Sequence, residues 1–582
     1  MKLCIQVVKK GDEIELKIIH PWRDSYIKAL EKRGIFNRNS GIRVAHTYKI
    51  PEGQKFNAVA AKGGTLCELL THERMPLYVD RIHGGTYYHR YEFDHELMHF
   101  YRELLGDEFL GLSIHELGNV RQLDWARIRN NVGHPQPWTE EEVIESVRRV
   151  SKDKKFIHLS CGSAAEYVST QQPHDYESLV RDFEQLILLR KKEQDGFCFP
   201  CEGGPVTTKL HLENGAKVVF SEQGAQTKNL RVQTAYARGM SRAYGVKWGV
   251  FYEPWGGEPC TAPYFVEDEL CEWHSSKSNT NALYKAFSDG FGGGSSRSLQ
   301  RRIGLYALTS GADYYAEEWE LGNVFTRIDT AELSPYGEIH REVARLSASA
   351  GEIHDVTKVA FVLPREMAFF DTGLIPSDMG GRFATQPVLP WIQEVADTLS
   401  PFFSYSGTTS CGNEAHVMKN SDLPDCFDIL HEDAPRAVLD SYAFLVDVTL
   451  ENRLHSYDGP AKVLHGTPVD IYTALQKGLK AELGFSMSGE LIVQPYTEDN
   501  IACIGLYNGD GIQRTWQDGD KRMSEGTHTV TLAFEDNVSL STEYLSASDI
   551  QIEQDGKMWR FTLPAGECCL LKTNRPAQMW MH

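Results

Sequence analysis

Between residues about 50 and 355 the chain alternates short apolar runs with amphipathic helical stretches, and that rhythm limits the fold more than any other feature. The runs are KFNAVAA, PLYVDRI, EFLGLSI, KFIHLS, GFCF, AKVVFS, VKWGVFY and LYALTSGADYY. Helical patterns such as EEEVIESVRRVSK and DYESLVRDFEQLILLRKK lie between them. Runs that are apolar on both faces suit strands covered by helices on both sides, which is the environment of a parallel sheet. Eight such alternations predict a (β/α)8 barrel of the TIM type over 49–355. RVAHTYKI is an alternative first strand, in which case GFCF is a loop.

The flanking segments read differently. Residues 1–48 open with KLCIQVVKKGDEIELKII, a β-hairpin turning at Lys-Gly-Asp. Over 356–478 the runs TKVAFVLPRE, CFDILHED, YAFLVDVT and AKVLHGTPVD predict a small flavodoxin-like α/β domain. From 479 to 582 the pattern changes to period two, in GELIVQPY, NIACIGLYN, THTVTLAF and MWRFTLPAGECCLLKT. That predicts a C-terminal antiparallel β-sandwich domain. The expected fold class is therefore α/β, a barrel followed by two smaller domains.

Several classes of function are set aside by composition. A formal charge of -20 argues against nucleic acid and anionic membrane surfaces, which call for a basic face. No apolar stretch approaches the roughly 20 residues of a membrane span. The charged N-terminal region lacks the apolar core of a signal peptide, and the 12 cysteines are scattered, so a cytoplasmic protein with reduced thiols is expected. Cys198 and Cys201, in CFPC, have no second pair at zinc-ribbon spacing and read as structural.

The predicted barrel strands repeatedly end on glutamate. EFLGLSIHE delivers Glu116, KVVFSE delivers Glu222, WGVFYE delivers Glu253, and DYYAEE delivers Glu317 and Glu318. In a parallel barrel, chemistry gathers where strands end at the C-terminal face. Several carboxylates there cost several kcal/mol unless they are used or paired. Glycoside hydrolysis uses such a set: one carboxyl protonated to help the leaving oxygen depart, another ionised as nucleophile or base. Trp255 and Trp319 follow two of these glutamates and would stack on sugar rings. His115, Asp80 and Arg81 also sit at strand ends and complete the candidate substrate-binding set. Pro254 fixes the backbone after Glu253, and Gly256 and Gly257 let it turn under a ligand.

Barrel, small α/β sheet and C-terminal β domain, in that order, resemble family 42 glycoside hydrolases and their relatives in clan A. The resemblance is one of architecture and covers nearly the whole chain. It implies an acid/base glutamate at the end of strand four and a nucleophile at the end of strand seven. Glu253 falls on strand seven in either strand count, and Glu116 on strand four if RVAHTYKI is strand one. The clan's acid/base glutamate usually follows Asn, whereas His115 precedes Glu116 here. QTAYARGMSRAYGVKWG, after Glu222, looks like barrel hydrolases in which the preceding glutamate is a candidate, so Glu222 stands beside the other two. In the resembled family the small α/β domain takes part in subunit contacts, which implies a homo-oligomer.

Two other readings compete. His95-Glu96-Leu97-Met98-His99 is a literal H-E-x-x-H, the pattern of a zinc metallopeptidase. A non-catalytic carbohydrate-binding barrel is the third. DGFGGGSSRS lacks the ending of a phosphate loop and reads as a lid over the barrel mouth. With no G-x-G-x-x-G in the second domain, neither a dinucleotide nor any other cofactor is expected.

Overall fold

The computed structural model describes residues 1–9, 30–37, 39–46, 65–79, 90–92, 95–115, 156–158, 176–193, 195–202, 207–224, 230–253, 290–291, 296–317, 324–327, 332–368, 390–403, 417–510, 512–515 and 519–580. Eight parallel strands close into a barrel. They are β1 (Lys2–Lys9), β2 (Ser40–His46), β3 (Leu77–Val79), β4 (Phe109–His115), β5 (Cys198–Glu202), β6 (Val218–Gly224), β7 (Lys247–Glu253) and β8 (Tyr314–Glu317). Each pairs with its sequence neighbours, and β1 closes the ring against both β2 and β8.

The barrel therefore begins at Lys2, well before residue 49. Leu3–Lys9 pairs in parallel with β2 and Lys2–Cys4 with β8, so Lys2–Lys9 is a barrel strand, whereas the expected second strand of the hairpin lies outside the described residues. RVAHTYKI supplies β2 and not the first strand, and GFCF leads into β5. KFIHLS leaves the barrel: Phe156–His158 pairs antiparallel with Arg90–Glu92. Of LYALTSGADYY, only the final residues are strand, because the first part ends a helix. KFNAVAA lies outside the described residues. These shifts cancel, so Glu116 still directly follows strand four and Glu253 still ends strand seven.

Beyond the barrel, Val359–Leu363 is flanked by Phe427–His431 and Phe444–Asp447, with Lys462–Leu464 outside the latter, all parallel. Two antiparallel sheets follow, of five and four strands. The five-stranded one recruits Ile353–Asp355, which pairs with Ile492–Glu498 before the chain enters the parallel sheet.

Helix α2 (Leu230–Tyr244) joins the barrel to the parallel sheet, and 13 of its 15 residues are buried. Arg231, Arg238 and Arg242 recur on one helical face, spaced to meet the facing sheet. Arg231 bonds Asp425 at 3.1 Å, and Arg238 bonds Asp428 at 2.7 Å. Arg242 reaches both Asp355 and Asp428, while Tyr442 donates to Asp428 at 2.8 Å. Between these arginines, Gly239 rests against the Ile429 backbone so closely that any side chain would strike its carbonyl oxygen. No helix among the described residues is long and apolar enough to cross a membrane.

Candidate active site

Cross-strand partners in a parallel sheet share a face, so register shows which residues enter the barrel. Tyr78 of β3 meets Phe220 of β6 with ring centroids 5.2 Å apart, and Phe220 meets Tyr314 of β8 at 6.0 Å. These strands are not neighbours in the ring, so their side chains can touch only across its interior. Phe199 joins the same cluster and plugs the lower barrel. Gly249 is the one position of β7 beside this plug that can carry no side chain, since a Cβ would press on Phe220 and Tyr314 at 2.9 Å.

One layer above the plug, toward the strand ends, sit Glu222 and Phe251. They are cross-strand partners, and Phe251 is partnered on its other side by Ala316. The Arg43 guanidinium, arriving from β2, lies 5.0 Å from the centre of the Phe251 ring. Arg43 and Glu222 are both 1% exposed. Glu253 is the last residue of β7, and its cross-strand partner is Gly224. His115 is the last residue of β4 and pairs with Cys201 of β5.

Alternation also explains how Glu222 is aimed. Its neighbours Ser221 and Gln223 face the helix layer, where Ser221 donates to Gln233 at 3.2 Å and Gln223 to Thr234 at 3.1 Å. Both acceptors lie on α2, so the end of β6 is clasped from outside while Glu222 points in.

Glu317 does not join the set. Ala316 occupies the inner face of β8, which turns Glu317 outward between two barrel helices, α3 (Arg297–Thr309) and α4 (Pro335–Ser349). There Gln300 donates to its carboxylate at 3.1 Å and the His340 Nδ1 lies 2.7 Å away. Burial pushes the Glu317 carboxyl up, opposed by His340 and by the Arg43 charge. Its expected contact with substrate is corrected to a structural one: with Ala316 facing the axis, the next residue of the strand faces away from it. The backbone of Glu317 still serves the site, since its carbonyl accepts from Arg43 at 2.6 Å. Glu116, Trp255, Glu318, Trp319, Asp80 and Arg81 lie outside the described residues.

Arg43 and Phe251 were absent from the sequence reading. The available cue was an arginine inside the apolar run GIRVAH, a costly residue to bury without a partner.

The remaining motifs fall away from the mouth. The H-E-x-x-H stands on helix α1 (His95–Leu105), whose buried face is Leu97, Met98, Tyr101 and Leu105. His95 and His99 are exposed and both approach one oxygen of Asp195, at 2.6 and 3.3 Å. Among the described residues, no group of three His, Cys, Asp or Glu is arranged to hold a metal ion. Cys198 and Cys201 both lie on β5, and Cys201 is a buried free thiol. Of DGFGGGSSRS, Gly290–Phe291 is a strand bonded to Ile512–Thr515 of the C-terminal region, so this part of the expected lid is tethered.

No family model matches the sequence, and no curated protein matches it. Among solved structures the chain is similar to an α-L-fucosidase isoenzyme 2 from Paenibacillus thiaminolyticus, at 10% identity and TM-score 0.44, over 98% of this chain and 99% of that one. It is similar to a catalytic mutant of a family 42 β-galactosidase from G. stearothermophilus, at 9% identity and TM-score 0.45, over 99% and 98%. A third is the catalytic module of a family 98 glycoside hydrolase from Streptococcus pneumoniae, at 9% identity and TM-score 0.42, over 98% of both chains. These likenesses are of outline alone.

Proposed function

We propose that the chain is a glycoside hydrolase that cleaves a short oligosaccharide or glycoside with glutamates at the C-terminal face of its barrel. The observation that supports this most directly is the register of β6 and β7, in which Glu253 ends its strand two residues beyond Phe251, the cross-strand partner of the buried Glu222. β4 ends at His115, and because all eight strands are parallel, it ends at the same end of the barrel as β7; Glu116 is the next residue in the sequence. In this reading Glu253 attacks the anomeric carbon or activates water, and Glu116 protonates the leaving oxygen. Glu222, held deeper and next to Phe251, is the alternative to Glu253. Arg43, packed on Phe251, supplies a fixed positive charge inside the barrel, which favours the ionised form of a nearby carboxylate.

The metallopeptidase reading loses its support, because its two imidazoles sit on an exposed outer helix and share Asp195. A carbohydrate-binding barrel without turnover is the remaining rival. We read the four-stranded parallel sheet as a flavodoxin-like domain that carries homo-oligomer contacts, and the two antiparallel sheets as a sandwich. A cytoplasmic location belongs to the same reading.

Screening nitrophenyl glycosides of both anomers tests the assignment. Release of nitrophenol by the parent, lost in Glu253→Gln with the fold intact, supports it. Binding of sugar without turnover across the panel would transfer the chain to the non-catalytic class.

A further inference from the structure

The outward face of β6 reads Val219, Ser221 and Gln223, every second residue along the strand. On β7 the matching face, set by register, is Trp248, Val250 and Tyr252. A barrel strand covered by a helix is expected to be apolar there, as β7 is and as β6 is at Val219. β6 turns polar only at the two positions that flank Glu222.

Those positions form one hydrogen-bonded set with α2. Ser221 donates to the Gln233 side-chain oxygen at 3.2 Å, and its own oxygen accepts from the Gln223 amide at 3.4 Å. The same amide nitrogen donates to the Thr234 hydroxyl at 3.1 Å. Because Ser221 gives its proton to Gln233, the Gln223 amide must face it with nitrogen, which fixes the orientation of that side chain. All four residues are buried. The Gln223 side-chain oxygen is left buried without a partner among the described residues. An unpaired buried acceptor lowers stability, and an apolar residue at this position would avoid that loss. A polar set that breaks the packing rule only beside an inward-pointing carboxylate therefore points to function.

The helix that receives Gln223 is held from its other side. Arg231 and Arg238 bond Asp425 and Asp428 across the seam, and the Tyr236 hydroxyl lies 3.0 Å from the His431 Nε2. Gly224, the residue after Gln223, is the cross-strand partner of Glu253.

We propose that Gln223 is a positioning residue for the reaction. Its bond to Thr234 fixes the backbone between Glu222, which points into the barrel, and Gly224, which pairs with the end of β7. The two strand ends thereby keep one register toward substrate. The proposal rests on the glycosidase reading and gives Gln223 no contact with substrate.

The test is steady-state kinetics on the nitrophenyl glycoside that the parent hydrolyses best, with the melting temperature measured on the same samples. Gln223→Leu and Thr234→Val are each expected to lower kcat about tenfold or more, with KM within about threefold. Their melting temperatures should stay within about 3 °C of the parent. Thr234→Ser, which retains the hydroxyl, should stay within about twofold of the parent in kcat. The double variant should be no slower than the slower single one, since both substitutions remove the same bond. If Gln223→Leu does not fold, Thr234→Val and Thr234→Ser carry the comparison. Single variants as fast as the parent, additive losses, or Thr234→Ser as slow as Thr234→Val would overturn the role. If the parent releases nitrophenol from no glycoside of the panel, the glycosidase reading falls and the positioning role with it. If the parent is active and Glu253→Gln is dead while Gln223→Leu matches the parent, only the positioning role falls.

Discussion

Glu222 and Phe251 are cross-strand partners on the inner face of β6 and β7, and this places Glu222 one layer beneath Glu253. Two residues along a strand are about 6.6 Å apart. Both glutamates can therefore not occupy the same catalytic position against one anomeric carbon.

The register favours Glu253 as the residue at substrate level. Glu253→Gln is expected to leave folding intact and lower kcat by about three orders of magnitude or more, as loss of a nucleophile or base does. Added azide should restore rate to Glu253→Gly on an activated substrate if the enzyme is retaining. If Glu253→Gln stays within about tenfold of the parent while Glu222→Gln is inactive, the roles belong to the deeper residue. Steady-state kinetics with circular dichroism on both variants decides this.

Glu317 makes a contrasting case. Its carboxylate is completely buried and bound to Gln300 and His340, away from the barrel axis. Glu317→Ala should destabilise the protein by about 3–5 kcal/mol, because polar partners are stranded in the helix layer. Below the shifted melting temperature, kcat/KM per folded molecule should remain within about threefold. Calorimetry and kinetics on the same sample separate the two effects, and a variant of normal stability without activity would return Glu317 to the site.

Acid sensitivity has an identifiable source. Burial holds the His211 imidazole down to about 3, against about 6.5 in an unfolded chain. Below pH 6.5 the unfolded chain takes up a proton that the folded one refuses, so stability falls as pH drops from about 6.5 toward 3. His431, lowered to about 4 by burial and by the Lys209 charge, acts in the same direction. Asp355 adds a lower window. Burial raises its pKa, but Arg242 and Arg238 outweigh this and hold it at about 2, so its contribution is lost between roughly pH 4 and 2. His211→Leu is expected to flatten the fall in melting temperature between pH 6.5 and 4. An unchanged slope would exclude His211 as a cause.

Gly239 tests the seam between the domains. Gly239→Ala inserts a methyl group against the Ile429 carbonyl oxygen, where helix and strand are already in contact. Overpacking of this kind costs about 1–3 kcal/mol or more. The melting temperature should fall by several degrees in calorimetry. An unchanged melting temperature would mean that helix and strand can part without cost.

The barrel was readable because helix-covered strands announce themselves as short runs apolar on both faces, and most runs in the sequence proved to be strands. Lys2–Lys9 was misread because a turn signal after it suggested a hairpin, and pairing partners hundreds of residues away leave no local trace. KFIHLS has a strand's composition, but composition does not say which sheet receives it. For the site, the strand-end glutamates could be found in sequence, yet their facing could not. Glu317 and Glu318 are indistinguishable until register shows that Ala316 takes the axis. Arg43 is hidden for the same reason: its value comes from Phe251, a residue more than 200 positions away, which it meets across the barrel.

The arginine face of α2 bears on whether the barrel is a detachable module. Three guanidinium groups that the barrel contributes find their carboxylates on the far side of the seam, at Asp355, Asp425 and Asp428. A chain cut after the last barrel helix would present those cations, and a helix that is almost wholly buried in the full chain, to water. Such a fragment would aggregate or require a rebuilt outer face. The eight strands are thus expected not to fold as an autonomous unit, and transplanting the barrel into a fusion has to carry the parallel sheet with it.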